Sequence, residues 1–169
     1  MNVQVGGRAK ALNQSDRTAV DLVGRPGQVA RDQGYFLHVE GGRIDRAHHA
    51  GNARRALVET IEMSNAVRRA MELTSEQDTL IIVTADHSHT LSIAGYPHRG
   101  NPILGLVKPV PNQDGNPAKV SLDRNGQPWT TLGYANGPGY RGPGPRPDLS
   151  SVDTTALNFL QEASVPLES

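Results

Sequence analysis

Residues 35–49 read YFLHVEGGRIDRAHH, a short apolar and aromatic run entered after Gly34 that turns abruptly into an acid, two glycines, a second acid and paired histidines. A second passage of the same shape, TLIIVTADHSH, spans residues 79–89. Tyr35–Val39 and Thr79–Val83 each read as a buried strand, and each polar string starts where the apolar run stops. Between them lies ARRALVETIEMSNAVRRAMEL, residues 53–73, with Asn52 placed to cap its start. Leu57, Ile61, Met63, Val67, Ala70 and Met71 fall near one helical face, and most of the charged residues fall off it. Strand, helix, strand is a βαβ unit, so the expected fold class is α/β, a mostly parallel sheet with helices on its faces.

The function follows from that topology. A right-handed crossover makes the two strands parallel, and their C-terminal ends then open on one edge, where open α/β sheets bind ligands. Glu40, Asp45, His48 and His49 trail the first strand; Asp86, His87 and His89 trail the second. The sequence contains no cysteine, so any metal site must be built from carboxylate, imidazole or water, a donor set suited to zinc or a harder ion. Asp45 and His49 are four apart and share a face if the segment is helical. Asp86 and His87 are adjacent and need a strand end or turn to aim at one ion. Glu40 offers an oxygen ligand suited to magnesium. Together the clusters hold ligands for more than one cation, as in sites that clamp both oxygens of a phosphoryl displacement.

Several neighbours carry plainer readings. Gly41 and Gly42 permit a turn; Arg43 suits an ion pair with nearby acids; His48 suits a solvated or supporting position; His89 suits orienting a ligand by hydrogen bonding. His38, inside the apolar run, reads as a core or interface histidine, and His98, in GYPHRGN, as a surface one. The counts of acidic and basic residues are equal, 17 each, which gives no basic footprint for nucleic acid. No run approaches the ~20 apolar residues of a membrane helix, and no signal-like segment opens the chain. Residues 1–33 fit neither period and read as a poorly ordered or divergent arm, leaving 34–169 as the domain. Shorter strand candidates are Ala118–Leu122 and Trp129–Tyr134. The Gly/Pro-rich GYANGPGYRGPGPRPD, residues 133–148, reads as surface loop.

At VEGGRIDRAHH and VTADHSH, and onward through GYPHRGNPILGL and YANGPGY, the chain resembles the alkaline phosphatases. That resemblance implies a first zinc at Asp45 and His49, a second at Asp86 and His87, magnesium at Glu40, and His89 in support near the zinc pair. It also implies hydrolysis of phosphate monoesters through a covalent phosphoserine, with the zinc ions activating serine and water and holding the phosphate. The family's serine nucleophile, phosphate-binding arginine and shared aspartate lie upstream of the segment matching VEGGRID, and a further zinc histidine lies downstream of the one matching ASVPLES. The chain is therefore expected to be a C-terminal-side portion, cut at both ends, with part of the metal site and no nucleophile. Alone it should be inactive or weakly active, forming a homodimer or associating with a complementary segment. Family resemblance implies a periplasmic or secreted location. A related phosphodiesterase, sulfatase or phosphomutase, or an inactive metal-binding or interaction module, are the alternatives.

Overall fold

The computed structural model describes residues 2–5, 8–11, 37–111 and 119–163. They divide into two compact units, Met1–Asp45 with Leu57–Ser88, and Arg46–Ala56 with His89–Ser169. Tyr35, most of the 1–33 arm, Ala118 and the segment after Ala163 lie outside the described residues.

In the first unit, β1 (Asn2–Val5) pairs antiparallel with both β2 (Arg8–Ala11) and β3 (Leu37–Glu40). β3 is the end of the expected Tyr35–Val39 strand. Its described partner is β1, with Asn2 opposite Glu40, and the anticipated parallel βαβ pairing does not occur among the described residues. Residues 79–83 form no strand there. A run suited to burial on both faces needs a ladder partner and a cover on each side, and among the described residues this one forms no ladder: Leu80 is 84% and Ile82 78% exposed. His38 is likewise exposed rather than a core residue.

Two helices follow β3. The first, α1 (Gly42–His49), buries Ala47. It stops where Gly51 takes a left-handed φ of 66°. There the Gly51 amide donates to the His48 carbonyl and the Asn52 amide to the Ala47 carbonyl, both at 2.9 Å, the paired bonds of a Schellman motif. Asn52 then starts α2 (Ala53–Leu73), its Oδ1 accepting from the Arg55 amide at 2.9 Å. The cap and bounds are those the sequence implies. The apolar face is not: only Ala53 and Ala56 of α2 are buried, and Ile61 and Met71 stay exposed, because the later turns are only partly covered, Met63 and Val67 remaining half-buried.

In the second unit, β4 (Leu91–Ile93) pairs antiparallel with β5 (Leu132–Tyr134). β5 is the end of the expected Trp129–Tyr134 strand. Val107, Trp129, Leu132, Tyr134, Leu149 and Ala163 are buried in this unit. The chain's C-terminal part pins the helix corner: the Gln161 amide donates to the Gly51 carbonyl at 2.8 Å, and Gln161 Oε1 accepts from the Ala53 amide at 2.7 Å. Gly139 passes so close to the Gln161 carbonyl that a Cβ would stand 1.9 Å from it.

A buried ion cluster completes the unit. Arg146 Nη2 lies 2.7 Å from Glu162 Oε2, and Arg146 Nε lies 3.8 Å from Asp123 Oδ2, with all three side chains nearly dry. Removing the cation from such a group strands two carboxylates without their counter-charge. Arg146→Ala is expected to lower unfolding free energy by about 3–5 kcal/mol in a urea titration; a loss under about 1 kcal/mol, the value of an exposed pair, would show that water reaches the cluster.

Candidate metal centre

α1 carries the first polar string. Its helical geometry sets Asp45 and His49 one turn apart on a single face, as their spacing implied. Glu40 ends β3, exposed, beside the turn into α1.

In the first unit the two polar strings meet. His87 Nε2 lies 3.7 Å from Asp45 Oδ1 and 3.6 Å from Asp86 Oδ2. Asp86 and His87 sit in a bend rather than a strand, so adjacent side chains can aim together, and Asp86 Oδ1 accepts from the His87 amide at 3.1 Å. The 3.6–3.7 Å separations exceed a hydrogen bond. The separation of Asp86 from His87 is close to the roughly 3.3 Å between two ligand atoms around one tetrahedral cation at zinc–nitrogen and zinc–oxygen distances. Two carboxylates and an imidazole, with no thiolate, fit zinc or a harder divalent ion.

The second unit holds the imidazoles of His48, His49 and His89. The rings of His49 and His89 meet edge to face with centroids 4.9 Å apart, and His48 stacks on His89 at 5.2 Å. Tyr134 of β5 lies under these rings, its hydroxyl sharing a 2.8 Å hydrogen bond with His48 Nδ1. Its type and spacing gave no sign of that role. Burial pushes the Tyr134 hydroxyl up to about 12, so it stays neutral. His98 lies outside both clusters, half-buried in a loop where Nδ1 is 3.1 Å from the Lys108 carbonyl.

Similarity to known proteins agrees with this chemistry. A family model described as alkaline phosphatase matches residues 7–169. The chain is 47% identical over 136 residues to the tissue-nonspecific isozyme of alkaline phosphatase from Gallus gallus, covering 80% of this chain and 24% of that protein. Against the Homo sapiens tissue-nonspecific isozyme it is 42% identical over 158 residues, 92% of this chain and 28% of that one. Against an alkaline phosphatase from Gadus morhua it is 44% identical over 137 residues, 80% and 26%. The chain thus spans about a quarter of the length of the curated relatives it matches.

The electrostatics of His87 can be tested directly. The Ser88 carbonyl, 2.8 Å from Nδ1, and then the Asp86 and Asp45 carboxylates hold its imidazole above the ordinary 6.5. An NMR titration should give a midpoint above that value, and Asp86→Asn should lower it without removing the Ser88 contribution. A ligand imidazole must shed its proton, so metal uptake at His87 should strengthen as pH rises through the raised midpoint.

Proposed function

We propose, for a chain that belongs to the alkaline phosphatase family, that it supplies most of the metal ligands of a phosphate-monoester hydrolase whose serine nucleophile lies in another part of the full protein. Asp45 and His49 serve a first zinc, Asp86 and His87 a second, and Glu40 a magnesium, with His89 holding a ligand in place. The observation that carries this reading is the convergence of Asp45 and Asp86 on His87 Nε2 at 3.6–3.7 Å. Two carboxylates facing one imidazole nitrogen are oxygen and nitrogen donors of the kind divalent cations take.

When bound, divalent ions would neutralise phosphate oxygens and make a coordinated water or hydroxyl a better nucleophile. The chain's own part is to hold the donors. α1 fixes Asp45 and His49 on one face, the bend at Asp86 turns carboxylate and imidazole to the same side, and the Ser88 carbonyl at Nδ1 orients the His87 ring. That second contact favours a neutral imidazole with its proton on Nδ1 and Nε2 turned toward the carboxylates.

In the full protein, residues 34–169 form the metal-bearing part of the domain. There Thr79–Val83 enters the sheet parallel to β3, a reading supported by its uncovered apolar side chains. Action outside the cytoplasm, as a homodimer or joined to a complementary segment, accords with the family.

Metal should stabilise the purified chain. At a hundredfold excess over Kd the gain is about 2.7 kcal/mol, which for a chain of this size raises the melting temperature by roughly 5–10 °C. Zinc with magnesium should produce that rise, and Asp86→Ala should shrink it while leaving the metal-free melting temperature nearly unchanged. Identical melting with and without metal, and no zinc retained on dialysis, would refute the assignment.

A further inference from the structure

We propose that Tyr134 is a positioning residue for the histidine ligands, acting through His48 and His89 on the ring of His49. The inference rests on the reading of His49 as a ligand and deepens it.

The geometry is a chain of ring contacts within the second unit. The Tyr134 hydroxyl and His48 Nδ1 are 2.8 Å apart. The His48 ring lies nearly parallel to His89, with an interplanar angle of 20°. His89 in turn meets His49 at 87°, edge to face. Tyr134 also presents its own ring to both, with centroids 5.8 Å from His48 and 6.2 Å from His89. His89 is thereby bounded by His48 on a face and by His49 and Tyr134 in edge contacts.

The chemistry gives the contact a direction. Tyr134 is 1% exposed, so its hydroxyl needs a partner within the protein. The 2.8 Å separation lets the Tyr134 hydroxyl donate to His48 Nδ1, and that bond restrains the rotation of the His48 ring. Partners bonded directly to a ligand imidazole typically cost about 10–100-fold in metal binding when lost; acting through two ring contacts, Tyr134 is expected near the lower end of that range. A tyrosine that merely filled the core would act through its ring, and its hydroxyl would leave metal binding unchanged.

The test separates ring from hydroxyl. Zinc affinity of the purified chain is measured by competition with a chromophoric chelator, alongside imidazole nitrogen NMR and metal-free melting. Tyr134→Phe keeps the buried ring and should weaken zinc binding by about tenfold, with the metal-free melting temperature within a few degrees of the parent and the His48, His89 and His49 ring signals displaced. His48→Phe preserves the stack, removes the nitrogen and should give the same loss, with no further loss in the double variant. His48→Phe alone decides the matter if Tyr134→Phe fails to fold. Unaltered zinc affinity in a foldable Tyr134→Phe, while His49→Ala abolishes tight binding, overturns the positioning role and leaves His49 a ligand. Weakened binding with unmoved ring signals also overturns it. Absence of zinc binding by the parent chain overturns both readings.

Discussion

The left-handed corner at Gly51 is the constraint on which the histidine cluster depends. A glycine there lets α1 end in paired carbonyl-capping bonds and lets Asn52 open α2 at once. Any other residue would pay a steric penalty at φ 66°. Gln161 then binds both sides of the corner, accepting from Ala53 and donating to Gly51, and Asn52 Nδ2 donates to the Leu157 carbonyl. This holds the C-terminal turn of α1, where His48 and His49 sit, in the unit that contains Tyr134 and His89. The ring contacts follow from a backbone arrangement fixed several residues away.

In the first unit the same economy is electrostatic. Asp45 reaches His87 from a helix, Asp86 from the adjacent position in a bend, and the Ser88 carbonyl from the other side of the ring. All three raise the proton affinity of the imidazole. The features that attract a proton also attract a metal cation, and proton and metal compete for the same nitrogen.

Much of this was legible in the sequence where local chemistry decides it. Asn52 announced the start of α2, the four-residue spacing of Asp45 and His49 announced a shared helical face, and Trp129–Tyr134 contained β5. The convergence of Asp45 with Asp86 and His87 was also readable, as two polar strings following two apolar runs. The parallel pairing was not, because strand partners are set by long-range contacts that a period-two or apolar pattern does not encode. Burial of the α2 face failed for the same reason: amphipathicity states what a helix can bury, not whether a cover is present. The Tyr134–His48 bond and the Arg146 cluster joined residues far apart in the chain, with no spacing signal. Tyr134 was readable as the end of a strand, but nothing in its surroundings pointed to a histidine partner.

The open run after α2 has a consequence for handling the protein. From Thr79 to Ala85 the chain shows seven uncharged residues, mostly β-branched or aliphatic, with neither proline nor glycine, and Leu80, Ile82 and Val83 face solvent. Windows of this composition stack readily into cross-β fibrils. Only Asp78 and Asp86 stand at its borders as gatekeepers. Since Asp86 is also one of the proposed metal ligands, neutralising it tests that assignment and at the same time removes one of two charges that discourage self-association.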